Sequence, residues 1–198
     1  MLNRPPRRLT LSAGEVTLFG VLGAATFAAK VVMAGIPNVE PTSLLVMLFA
    51  VTFGWKAVFP IYVYVSMEFF LYGIQLYSIS YLYIWLVLAA AAWLLRGMTH
   101  PVGWALLSGV FGLLFGLLCA PVCLFTAGLH GAIVWWINGI PFDVIHCAGN
   151  FGIALVLFCP LRRLLERLYQ GMQARRGGYP PQPPAGPPQA PRPPPRAQ

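Results

Sequence analysis

Charged side chains are scarce in this sequence: Asp, Glu, Lys and Arg make up 9% of 198 residues, and only five of them are acidic. A soluble domain carries about 25%, because water must wet its surface. So few charges cannot cover a water-facing shell, which excludes an ordinary soluble globular domain and makes lipid the solvent for much of the surface. Other absences narrow the field further. No G-x-x-x-x-G-K-[ST] phosphate loop occurs, so the chain is not its own ATP-driven motor. No inverted repeat of hydrophobic segments is evident, which argues against a typical secondary transporter. The cysteines (Cys119, Cys123, Cys147 and Cys159) all fall in apolar stretches and read as small packing residues. Cys119 and Cys123 are one helical turn apart, with His130 and His146 further on, but the spacing is not that of a zinc motif. Neither metal nor cofactor is expected, and no removable signal peptide is read at the N-terminus.

Long apolar runs supply what is present: 58% of the residues are hydrophobic and the mean hydropathy is +0.71. A membrane-spanning helix needs roughly 20 mostly apolar residues. The fold class expected is an all-α integral membrane protein, a bundle of about six transmembrane helices at about 14–35, 42–55, 57–74, 80–97, 102–138 and 142–168. Turn chemistry separates them: Pro37 and Pro41, then Gly54-Trp55-Lys56, Gly73 to Ser80, Gly97 to Pro101, and Asn138-Gly139-Ile140-Pro141. The run at 42–55 is short for a span. The stretch 102–138 is too long for one, and Pro121, Gly128 and Gly131 point to a kink or a re-entrant piece within it.

Charge placement gives the orientation. With both termini inside, twelve of the thirteen basic residues fall in cytoplasmic segments, while the outer loops carry Glu40 and Asp143. This obeys the positive-inside rule; Lys30, the thirteenth, sits within the first helix. The net charge of +8 is therefore a topology signal and an attraction to anionic membrane lipid, with no nucleic acid implied. Residues 1–13 form a basic cytoplasmic N-terminus, 14–168 the membrane domain, and 169–198 a cytoplasmic tail. From about 177 the tail holds ten prolines in 22 residues and is expected to be disordered.

Polar residues at membrane depth are costly and mark function by default. Tyr64, Glu68, Tyr72 and Gln75 share one face of the third helix, and Asp143, His146 and Asn150 share one face of the sixth. Both stripes lie toward the outer ends of their helices and suggest a shared cavity. Tyr81, Tyr83, Trp85, Trp135, Trp136 and Asn138 fall at the same level, where the aromatic ones would supply walls, although Tyr and Trp at helix ends also serve as interfacial anchors. Glu68 and His146 could equally pair with each other or with Lys30 for structure. Small residues form two strips. Gly109, Gly112 and Gly116 read as internal packing, whereas Ala24, Ala25, Ala28 and Ala29 suit either internal packing or a partner.

Three segments together resemble the substrate-binding S components of energy-coupling factor (ECF) transporters, which import vitamins and related micronutrients. They are Ala24-Ala25-Thr26-Phe27-Ala28-Ala29, the loop Ile36-Pro37-Asn38-Val39-Glu40-Pro41-Thr42, and Pro141-Phe142-Asp143 leading to His146 and Asn150. The resemblance covers roughly residues 14–168. It implies that the alanines dock a transmembrane T component, that two ATPase subunits supply energy, and that the loop around Asn38 and Glu40 gates the pocket. It places the chain in the bacterial plasma membrane as a binding subunit rather than an enzyme. The substrate expected is a vitamin-like small molecule, and the pocket's two carboxylates suit a neutral or cationic ring compound. The alternatives are an intramembrane enzyme, with His130 or His146 as base and Asp143 or Glu68 orienting it, and a solitary small-molecule facilitator.

Overall fold

The computed structural model describes residues 11–36 and 39–176. Asn38, the N-terminal ten residues and the proline-rich segment expected to be disordered lie outside them. Among the described residues every regular element is a helix and there is no strand. Four stretches are long and apolar enough to cross a membrane: Ala13–Met33, Thr42–Tyr72, Leu76–Leu94 and Pro101–Arg175.

Helix α1 (Ala13–Met33) opens on a capping box, in which Ser12 accepts from the Glu15 N–H while the Glu15 carboxylate accepts from Ser12. Glu15, Phe19, Gly23 and Thr26 form its buried face, packed on α3 (Val58–Tyr72). Gly23 is required there, since a Cβ would come within 2.6 Å of the Val63 Cβ and 2.7 Å of the Pro60 carbonyl oxygen. The pairs Glu15 with Lys56, Phe19 with Phe59 and Lys30 with Glu68 show that α1 and α3 run parallel.

Helix α2 (Thr42–Phe53) is apolar on every side because it is the centre of the bundle, as all-round apolar helices generally are. Most of it is buried, against α4 (Leu76–Leu94), α6 and α1. Twelve residues span only about 18 Å, less than a bilayer core, so its length agrees with the short run seen in the sequence. A 3₁₀ turn at Gly54–Ala57 reverses the chain into α3.

The largest departure from expectation lies beyond residue 100. Helix α5 (Pro101–Leu113) is interrupted at Leu114, and α6 (Phe115–Arg176) is two helices joined at Gly128, whose φ of 70° leaves the helical region. The segments 115–127 and 129–176 fold back on each other: Gly116 lies against both Gly139 and Asp143, and Gly112 against His146. The hairpin therefore turns at Gly128, and Asn138-Gly139-Ile140-Pro141, expected as the connection, is inside a helix. Gly139 instead allows the close approach to Gly116, whose Cα is 4.0 Å from a Cβ built at Gly139. The last helix also runs past 168 to Arg176, where Tyr169 and Gln173 bond Glu15.

The bundle has two chemically distinct ends. At one, Lys56 pairs with Glu15, and Arg162 donates to the Arg96 and Met98 carbonyls at the turn between α4 and α5. At the other lie Lys30, Glu40, Glu68 and His146, lining one cavity.

Candidate functional site

Lys30 enters this end of the bundle near the last turn of α1. Its ammonium donates to Glu68 Oε2 at 3.0 Å, to the Tyr81 hydroxyl at 3.3 Å and to the Tyr64 hydroxyl at 3.5 Å, and lies 3.8 Å from Glu40. It also stands 5.0 Å from the centre of the Tyr81 ring, within cation–π range. Glu68 is fully buried, yet its second oxygen, Oε1, has no hydrogen-bond partner among the described residues. His146, 4% exposed, packs edge-on against Phe115 with ring centres 4.8 Å apart, and its Nε2 is likewise unpartnered. Buried polar atoms are nearly always bonded, so each exception asks for an explanation.

Glu68 and His146 both line one cavity, of about 310 Å³. Tyr72, Tyr77, Tyr81 and Phe115 supply its aromatic walls, and Val39 and Glu40 close one side from the connection between α1 and α2. Burial raises the Glu40 carboxyl above the ordinary carboxylate value, the nearby Lys30 charge opposes this, and the Glu68 charge adds to it. A second cavity, of about 440 Å³, adjoins the first along Tyr77, Phe115 and His146. It is mostly apolar and runs between the two arms of the Gly128 hairpin, beside Trp135 and Asp143.

The structure thus brings together Glu40, Glu68, Tyr72 and His146 from the residues singled out in the sequence. The others have different surroundings. Asp143 accepts from the Gly116 N–H at 3.0 and 3.1 Å; the interruption at Leu114 frees that N–H, and the carboxylate caps it, in the manner of an acidic group at a helix start. Asn150 donates to Ser43 Oγ at 3.0 Å and to the Ser108 carbonyl at 3.4 Å, stitching α2, α5 and α6 together. Gln75 is exposed and caps the start of α4, its amide donating to the Tyr72 carbonyl. The Tyr83 hydroxyl donates to the Leu118 carbonyl at 2.5 Å, and Trp136 is 39% exposed on the hairpin; neither lines the first cavity. Asn38 lies outside the described residues. Tyr81 stands as one of the expected aromatic walls, whereas Lys30, Tyr77 and Phe115 were not among the expected contact residues. For Lys30 the signal was available, as a lone cation inside an apolar helix; Phe115 carries none.

The small residues divide. Gly109, Gly112 and Gly116 face the 129–176 segment, and a Cβ at Gly112 would come within 2.9 Å of the His146 carbonyl oxygen and the Cys147 nitrogen. On α1, Ala25 and Ala28 are exposed and Ala24 and Ala29 half-buried. With Val21 and Val32, both exposed, they make a smooth outward strip. Among the described residues no group of three or more His, Cys, Asp or Glu side chains converges as a metal site would require. No family model, curated protein or solved structure matches the chain.

Proposed function

We propose that the protein is the substrate-binding component of an ECF-type importer, capturing a vitamin or related micronutrient at the outer face of the bacterial plasma membrane for ATP-driven uptake. The observation that carries this reading is the cavity itself, lined by aromatic rings and by Glu68 and His146, each of which holds a buried polar atom without a partner among the described residues. Such a pocket, apolar with a few convergent polar groups, is the form small-molecule sites take.

Three further features support it. Two of the four apolar stretches double back, at Gly54 and at Gly128, which is compatible with six crossings and both termini on one side. The basic residues Lys56, Arg96 and Arg162 gather at the end away from the cavity, and by the positive-inside rule that end is cytoplasmic. The exposed Ala25 and Ala28 strip offers a transmembrane T component a surface for close helix approach, and two ATPase subunits would then drive release inward. For the enzymatic alternative, Ser66 is exposed on α3 with its hydroxyl donating to the Tyr62 carbonyl, and it does not line the cavity beside His146.

Mass spectrometry of small molecules released from protein gently purified from cells in rich medium tests the proposal. One compound recovered at close to one per chain is the expected result. An empty protein that also gains no thermal stability from any member of a vitamin panel would overturn it.

A further inference from the structure

The chemistry of the cavity specifies a class of ligand. It holds two carboxylates, Glu40 and Glu68, against one ammonium, Lys30, and the remaining lining residues, apart from His146, are aromatic or aliphatic. An ammonium has three hydrogens to donate. Those of Lys30 have partners in Glu68 Oε2 and the Tyr81 and Tyr64 hydroxyls, with Glu40 3.8 Å away. The lysine is thus occupied and outnumbered, and an incoming anion would meet no free cationic donor from it. What the cavity leaves unsatisfied is an acceptor. Glu68 Oε1 is fully buried and unbonded, on a carboxylate that already uses its other oxygen on Lys30. His146 Nε2, also unbonded, can donate or accept according to tautomer. Tyr72, Tyr77, Tyr81 and Phe115 present ring surface, which attracts a cation as well as a flat ring. A volume of about 310 Å³ stands at the lower end of the roughly 300–1,000 Å³ of small-molecule sites, which suits one or two rings.

We propose that this cavity selects a small planar nitrogen base bearing one positive charge and N–H donors, of the amidinium or protonated amino-heterocycle class. The N–H group bonds Glu68 Oε1, the positive charge supplies what Glu40 and Glu68 lack beside Lys30, and the ring stacks among the tyrosines and Phe115. This rests on the capture reading above and sharpens it to a ligand class.

Three probes of one size and shape separate charge from fit: benzamidine, benzamide and benzoate, titrated calorimetrically into the full chain in detergent. The expected order is benzamidine first, by roughly tenfold or more over benzamide as befits a charge-assisted hydrogen bond, with benzoate weakest. Glu68→Gln, which keeps size and shape, should shrink the preference for benzamidine to about threefold or less, the hydrogen bond then being between neutral and charged groups. Glu40→Gln, which leaves the closer Lys30–Glu68 bond in place, should lessen it without loss of folding. No binding by benzamidine, benzoate binding as well as benzamidine, or an unchanged order in both variants would each overturn the inference. Its failure is distinguishable from failure of the importer reading. A co-purifying anionic vitamin would leave the importer standing and sink the ligand class, whereas a benzamidine preference in a chain that recovers no compound and no partners would do the reverse.

Discussion

Glu68 and Lys30 form the one ion pair of the cavity in which a carboxylate is wholly withdrawn from solvent, and the arrangement is costly in either partner's absence. Removing one member of a buried pair leaves an uncompensated charge and costs about 3–5 kcal/mol, whereas replacing both with apolar groups of similar volume is often near neutral. Lys30→Met should accordingly lower thermal stability in detergent sharply, because the fully buried Glu68 carboxyl would lose the ammonium that bonds it. The double variant Lys30→Met/Glu68→Met should recover most of that loss while abolishing ligand binding. If the single and double variants melt together, the pair is not coupled and the charge balance assigned to the cavity is wrong. The sequence exposed Glu68 through its membrane depth and its spacing from Tyr64 and Tyr72, and those cues were sound for placing a polar face. They could not show that Gln75, in register by spacing, lies beyond Gly73, where the helix ends and the side-chain amide donates back to the Tyr72 carbonyl. Nor could they show that Asp143 caps a helix interruption in a neighbouring segment, since that depends on Leu114 breaking the ladder 29 positions earlier.

The elements were legible in proportion to how much local chemistry defines them. Ser12 and Glu15 form a capping box readable from four residues, and α1 begins where that signature puts it. The hairpin of α6 was misread for the converse reason. Asn-Gly-Ile-Pro has the composition of a turn, but Pro141 sits inside a long helix, and Gly139 serves close packing. The actual reversal needs only one positive-φ residue, Gly128, which the sequence marked as part of a kink or re-entrant piece but not as the connection between the last two helices. Two glycines, Gly112 in α5 and Gly20 in α1, make a paired test. At Gly112 an added methyl would strike backbone atoms at 2.9 Å, so Gly112→Ala should force the segments apart and cost about 1–3 kcal/mol of stability as overpacking does. At Gly20 in α1 nothing lies within 4 Å of a new Cβ, so Gly20→Ala should be neutral or gain up to about 1 kcal/mol from helix propensity. Thermal denaturation of the two variants side by side reads the difference. Equal effects would mean that the 101–113 and 129–176 segments are less closely packed than described.

For the whole molecule, the unresolved balance is between a bundle complete in itself and one that leaves a face for another protein. The buried residues of α1 are confined to one stripe, Glu15, Phe19, Gly23 and Thr26, and the opposite stripe of Val21, Ala25, Ala28 and Val32 is exposed. In lipid, apolar exposure is not itself a driving force, because hydrocarbon solvates a helix as well as another helix does; close approach through small residues is what favours association. Leucine at positions 25 and 28 removes that closeness while meeting no neighbour within the bundle. Ala25→Leu/Ala28→Leu should therefore fold with stability within about 0.5 kcal/mol of the parent, as open surface changes do. It should also bind ligand with unchanged affinity, since Lys30 and the cavity lie on the inner side of α1. Uptake by cells carrying the partner subunits should nevertheless fall to background. A loss of stability would place these alanines in internal packing after all. Normal uptake with normal binding would move the partner's footprint to another face, of which the groove between Phe27 of α1 and Phe59, Val63 and Phe70 of α3 is the next to test.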